Sequence, residues 1–207
     1  MSMILIKDLS ISTESYLRIL GVTLDKKFTF EPHVNEMLKK VFAKVSALRK
    51  IRRLVPMEIM IKLYKAYVLP HFDYCCPLLL GIRKCLNNKL EKANYYVLKT
   101  PLRMGNSTSY ESLMNLATMN SLEQRRYEHS LIIAFKSNRL QGPIYIYILN
   151  MFKVRSSHYN LRNSGQNFEQ ARYNTLYLHN SFTYIVSHIW NELPSHIKNS
   201  ESIYVYF

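Results

Sequence analysis

Between His33 and Lys65 the chain sets nine basic side chains (Lys39, Lys40, Lys44, Arg49, Lys50, Arg52, Arg53, Lys62 and Lys65) against two acids, Glu36 and Glu58. Side chains of this kind, gathered on one surface, neutralise phosphates and release counterions, which gives tight but sequence-tolerant binding to a nucleic-acid backbone. Taken singly, each lysine reads as a solvated helix position. Taken together, Lys39, Lys40, Lys44, Arg49, Lys50, Arg52 and Arg53 read as a nucleic-acid-binding set. The whole chain agrees in sign: 28 Lys and Arg against 14 Asp and Glu leave a formal charge of +14 over 207 residues. Such a surplus favours a polyanionic partner, nucleic acid first and an anionic membrane second, with a basic but non-binding surface as the bland alternative.

Catalytic chemistry is harder to find. Asp8, Asp25 and Asp73 are the only aspartates, and no two are close in sequence. Two-metal phosphoryl transfer needs clustered carboxylates to hold the ions, so no catalytic residue, metal ligand or cofactor is assigned. There is no Gly-rich phosphate loop and no nucleophile elbow. His71 and Cys75 have the spacing of a metal pair, but no second pair follows at zinc spacing. The adjacent Cys75 and Cys76, with Cys85, read as reduced thiols, the adjacent two buried, in an intracellular protein. Sixteen tyrosines could stack on bases; at helical spacing they read as core, and no single one stands out.

The elements that must carry the cations follow from periodicity. Leu20, Val22 and Leu24, then Phe28 and Phe30, alternate around Asp25-Lys26-Lys27 and predict a β-hairpin. Pro32 suits the first turn of a helix, and Val34, Met37, Leu38, Val41, Phe42, Val45 and Leu48 then mark four turns of apolar stripe. A second helix is expected from Pro56, with Ile59, Met60, Leu63, Tyr64, Tyr67 and Val68 inward. "FDYCCPLLLG" reads as a buried turn and helix, and a third helix is expected over Leu86–Lys99. Thr108 with Glu111, and Ser121 with Gln124, have the spacing of capping boxes. Gly142-Pro143 separates the helix after Ser121 from "IYIYILNMF". From Lys153 to Thr175 the periodicity vanishes, which predicts an extended basic arm. Ser181 caps a last helix lined by Phe182, Ile185, Val186, Ile189, Trp190 and Leu193. The expected fold is mainly α: a short N-terminal hairpin (1–30), a helical bundle (31–152), then the irregular arm and a C-terminal amphipathic helix (153–207). No signal peptide is visible, and the longest uncharged stretch, Tyr173 to Asn191, is too polar for a bilayer. A soluble chain with no membrane partner is expected.

The order of the motifs carries a resemblance. "LGVTLDKKFTFEPHV", a basic amphipathic helix, "ALRKIRRLVP" and "LYKAYVLPHFDYCCPL" follow one another. "SLEQRRYEHSLIIAFKSNRLQGPIYI", "FKVRSSHYNLRNS" and "SFTYIVSHIWNELPSHIKNSESIYVYF" come after them. The succession resembles the segment after the polymerase core of jockey-like non-LTR retrotransposon reverse transcriptases, and it covers residues 17 to 207. The resemblance implies that Leu20 and Gly21 belong to a primer-grip hairpin at the palm edge. It implies that the helices after them form a thumb that closes on template–primer, with the basic set on its first helix. In that family the fingers, the palm and the metal-binding aspartates lie upstream of "LGV", and many relatives carry a Trp where this chain has Leu79-Leu80. The expectation is therefore a piece of an RNA-directed DNA polymerase. It would bind RNA or an RNA–DNA duplex through phosphates, would be inactive alone, could dock on a separate polymerase core, and would reside in the nucleus or cytoplasm. The alternatives are an all-α protein-interaction module and a non-functional relic of a mobile element.

Overall fold

The computed structural model describes residues 3–6, 9–12, 14–105, 107–155, 167–170 and 172–200, the first two segments through their backbone only. The fold is mainly α with short antiparallel hairpins at the N-terminus. β1 (Met3–Ile6) pairs with β2 (Leu9–Ser12), and β3 (Tyr16–Ile19) pairs with β4 (Val22–Asp25) in the register Tyr16↔Asp25 to Ile19↔Val22. The helices are α1 (Glu31–Ile51), α2 (Met57–Tyr67), α3 (Leu69–Asp73), α4 (Lys84–Leu102), α5 (Tyr110–Ala117), α6 (Leu122–Arg139), α7 (Pro143–Asn150), α8 (Leu176–His179), α9 (Phe182–Glu192) and α10 (Ser195–Lys198), with a 3-10 turn at Cys76–Leu79. Among the described residues no helix is long and apolar enough to cross a membrane. The expected segment "SIYVYF" lies outside the described residues.

The hairpin is shifted from the expected one. Its turn is Leu20-Gly21, not Asp25-Lys26-Lys27. Both turn residues have positive φ, 47° and 83°, the condition a two-residue type I′ turn sets to match strand twist. Phe28 and Phe30 form no strand. The Asp25 carboxylate accepts the backbone N–H groups of Lys27 (3.2 Å), Thr29 (2.8 Å) and Phe30 (3.0 Å). A side chain that captures successive donors competes with a sheet ladder. Here it bends the chain so that Phe30, at φ 59°, leads straight into α1.

The chain divides into two compact units, residues 1–72 with 82–113 and residues 73–81 with 114–207. This division does not follow the expected boundaries at 30 and 152. In the first unit α1 packs on α4, α2 and β4. Val34, Met37, Val41 and Val45 of α1, Met60 and Tyr64 of α2 and Leu90, Val97 and Leu98 of α4 are all buried. The buried Asn94 is satisfied from both sides: it accepts the Tyr64 hydroxyl and donates to the Tyr110 hydroxyl (3.2 Å), which in turn donates to Glu91. An unpaired amide there would cost about 1–3 kcal/mol, so this chain fixes α2 and the start of α5 against α4. The cap of α5 is Ser109, whose hydroxyl accepts the Ser112 N–H (3.2 Å); the expected cap, Thr108, uses its carbonyl on Tyr95 (2.8 Å).

In the second unit Leu80, Leu131, Ala134, Phe135, Phe152, Phe168, Val186 and Trp190 form one core. The expected Ser121/Gln124 box is present in both directions, Gln124 N–H to Ser121 Oγ at 3.2 Å and Ser121 N–H to Gln124 Oε1 at 3.1 Å. Ser181 caps α9 by accepting the Tyr184 N–H (3.3 Å). Of the expected arm, residues 156–166 and 171 lie outside the described residues; at its described ends Val154 bridges Phe168 antiparallel, and Phe168 stacks on Phe152 with ring centroids 4.7 Å apart. Asn191 holds this segment by accepting the Phe168 N–H and donating to the Phe168 carbonyl, both at 2.9 Å. Cys76 is buried, Cys75 half-buried and Cys85 exposed; all three are free thiols. Burial first, and then the Asp73 carboxylate, push the Cys76 thiol up to about 12.

Candidate nucleic-acid interface

The first unit holds most of the charge. Of the 28 basic and 14 acidic residues of the chain, 19 and 8 belong to it, a net +11 (19 − 8) out of +14. Because an α-helix advances about 100° per residue, the α1 stripe from Val34 to Leu48 turns inward and its cations are left outside. Lys39, Lys40, Arg49 and Lys50 are exposed on α1, and Arg52 and Arg53 are exposed on the turn that follows. The set spreads over more than one face. Lys39 and Lys50 share the outermost line of the helix. Lys40 and Lys44 lie on the flank toward α2, and Arg49 lies on the flank toward α4.

Two members of the set are engaged. Lys44 Nζ donates to the Tyr67 hydroxyl (2.7 Å) and sits 4.1 Å from the centre of that ring. Arg49 Nε donates to Thr100 Oγ1 (3.3 Å). Among the described residues the side chains of Lys39, Lys40, Lys50, Arg52 and Arg53 have no hydrogen-bond or ion-pair partner. The turn that presents Arg52 and Arg53 is pinned from α4: Arg103, in the left-handed conformation after the helix, donates to the carbonyls of Arg52 (2.5 Å) and Val55 (2.6 Å). The positive potential reaches two histidines. Burial foremost lowers the His33 pKa; Glu36 raises it, and Lys40 and Arg18 lower it further. His71 is lowered by burial and then by Lys44 and Lys40.

Leu20 and Gly21 are placed apart from this surface, on the tip of the β3–β4 hairpin, where Leu20 is 86% exposed. β4 joins the N-terminal half of α1: Thr23 N–H reaches His33 Nδ1 (3.5 Å) and Thr23 Oγ1 donates to Glu36 (3.1 Å). The Arg49–Arg53 group stands at the other end of the helix.

The sequence reading passed over a second basic line, on α4. Lys89, Lys92 and Lys99 recur at three- and seven-residue intervals, so all fall within about 80° of arc, with Tyr96 among them, and Arg103 follows just after the helix. The signal for it is the helical spacing of the cations within the expected helix Leu86–Lys99. Phe42, expected inward, lies at the rim of α1 and is 44% exposed. Comparison of the chain with protein-family models, with curated proteins and with solved structures finds no match.

Proposed function

We propose that the first unit binds nucleic acid, and specifically an RNA–DNA duplex of the template–primer kind, through contacts from α1 and the turn after it to the phosphate backbone, without catalysis by this chain alone. The observation that carries the reading is the set of five exposed cations, Lys39, Lys40, Lys50, Arg52 and Arg53, none of which has a partner among the described residues. The motif order that resembles the post-palm segment of jockey-like reverse transcriptases supports it and makes the helical unit a counterpart of a thumb. On the same resemblance, the protein's proposed location is the nucleus or cytoplasm. A filter-binding titration of an RNA–DNA duplex across salt tests it. If each of the five neutralises one phosphate, log K falls against log salt with a slope of about −4.5. Lys39→Gln with Lys40→Gln removes about two from that slope and weakens all sequences equally. No binding at low salt, or a slope indifferent to the two lysines, refutes the reading. Extension of a primed template by the purified chain would overturn the assignment of no catalysis.

A second reading, docking on a separate polymerase core, draws on β3. Tyr16, Leu17 and Ile19 are all exposed there, and Leu20 follows them. Grouped apolar side chains on an edge strand mark an interaction site. Sizing of the chain alone and with a candidate core separates the cases. A monomer that forms no complex, and whose Leu17→Lys variant behaves identically, removes this second reading.

A further inference from the structure

The pair α1 and α4 lie side by side and run in the same direction, because they are cross-linked at both ends. Lys89 Nζ donates to Asn35 Oδ1 (2.6 Å) in the first half of each helix. Arg49 Nε donates to Thr100 Oγ1 (3.3 Å) near the end of each. Phe42 and Tyr96 each stand seven residues beyond the first cross-link (42 − 35 and 96 − 89), so they share one height, about 10 Å along the pair. Both face outward, Phe42 being 44% and Tyr96 58% exposed. Lys39 and Lys50 lie on the outer line of α1, and Lys92 lies on the outer side of α4. Of the three acids of these helices, Glu36 accepts from Thr23 Oγ1, Glu91 accepts from Tyr110, and Glu31 stands in the first turn of α1. Tyr96 is steadied without being covered, its ring edge-to-face with Tyr95 at 5.5 Å and 5.6 Å from Lys99 Nζ.

We propose that this α1–α4 face takes an unpaired nucleic-acid strand, with bases stacking on Phe42 and Tyr96 and the backbone running along the lysines beside them. The proposal rests on the nucleic-acid reading above and specifies the strand. Aromatic rings set singly between cations are how sequence-tolerant single-strand sites are built, since every base offers a ring face and every nucleotide a phosphate. A blunt duplex has its bases already stacked and offers these rings nothing. A protein partner would be met by a contiguous apolar centre from which lysine is depleted, whereas here Lys39 lies one turn from Phe42, and Lys92 and Lys99 lie one turn to either side of Tyr96.

The test uses the full chain, a single-stranded oligonucleotide carrying 2-aminopurine, and a blunt RNA–DNA duplex as the comparison. Phe42→Ala and Tyr96→Ala each weaken single-strand binding about ten-fold or more and abolish part of the 2-aminopurine quenching. Both leave duplex affinity and its salt slope unchanged, and Tyr96→Trp retains the wild-type values. Circular dichroism of the variants establishes that the helices are intact. Equal losses on strand and duplex, or no loss on either, overturn the stacking proposal while duplex binding itself stands. Failure of the wild-type chain to bind either probe removes both readings at once.

Discussion

Replacing Gly81 by alanine is a stringent test of how the second unit is assembled. Gly81 has φ +75°, and a Cβ there would lie 2.2 Å from the Asn180 carbonyl oxygen and 3.0 Å from the carbonyl carbon. Two penalties add. Alanine in the left-handed region costs roughly 1–2 kcal/mol. An ordinary contact begins at 3.4 Å, so the Asn180 carbonyl must also retreat by about 1.2 Å (3.4 − 2.2). That carbonyl belongs to backbone, not to a side-chain tip that can swing away. The Asn180 N–H is bonded to Leu176 O (3.0 Å), and the next residue, Ser181, caps α9. Moving it disturbs the helix that carries Val186 and Trp190 into the core, so a total on the order of 3 kcal/mol or more is expected for Gly81→Ala. The chain has a single tryptophan, and Trp190 lies against Phe168 with ring centroids 5.3 Å apart. Its emission during urea unfolding of the full chain therefore reports this unit. Gly105→Ala, where no atom lies within 4 Å of the added carbon, is the control and stays within about 0.5 kcal/mol of wild type. A Gly81→Ala chain as stable as the Gly105→Ala chain would refute the close approach of residues 81 and 180.

Asn191→Leu leaves the N–H and carbonyl of the buried Phe168 without their side-chain partners; a loss of about 2 kcal/mol or more is expected in the same urea titration, and unchanged Trp190 emission would show that the arm is held by its aromatic contacts alone. His33 and His71 both have folded pKa values below the ordinary 6.5, so folding favours their neutral forms. Their contribution is complete above that unfolded value and is lost as pH falls through the lower folded values. Protection factors of the α1 amides, which remove the intrinsic pH dependence of exchange, should therefore fall on acidification below about pH 6.5, and the double variant His33→Gln, His71→Gln should flatten that dependence. A slope that survives the double variant assigns it to carboxylates instead.

The elements that sequence shows best are those with a strong period and a local stop signal. The α1 stripe, the Ser121/Gln124 box and the Ser181 cap need nothing beyond neighbours in the chain, and they are found where the spacing puts them. The misplaced hairpin shows the limit. Alternation around Asp25-Lys26-Lys27 is as regular as alternation around Leu20-Gly21. The choice between them is made by the Asp25 carboxylate, which takes three backbone donors and stops Phe28 and Phe30 from pairing. The outward turn of Phe42, Ile59 and Tyr67 has a similar origin: each sits at the rim of its apolar stripe, and only the placement of the neighbouring helices decides whether a rim position is covered. Of the candidate interface, the α1 cations were legible as a count. Their division into engaged and partnerless members was not, because Tyr67, Thr100 and Arg103 reach them from elements 23 to 51 residues away.

Not every cation on this surface asks for a ligand. Arg49 and Lys50 occupy the last turn of α1 and Lys99 the last turn of α4, where the helix macrodipole favours positive charge by about 0.3–1 kcal/mol each. Arg103 is bound to two carbonyls. These residues have a folding role beside any contact with phosphate. Lys39 and Lys40 stand in the middle of α1, where the dipole offers nothing, and Lys40 is one turn before Lys44, a like-charge spacing that destabilises a helix by a few tenths of a kcal/mol. Lys84 opens α4, at the end that repels cations, and Lys92, near the middle of that helix, follows Lys89 by three residues, again a like-charge spacing. Glu36, three residues before Lys39 and four before Lys40, offsets the Lys40–Lys44 repulsion at the favourable spacing, so the fold draws little from the charge of Lys39, Lys40 or Lys92. A phosphate backbone laid along α1 and α4 would give each of these lysines an anion to face. Folding and binding come apart at these three positions, and variants there report on nucleic acid without reporting on stability.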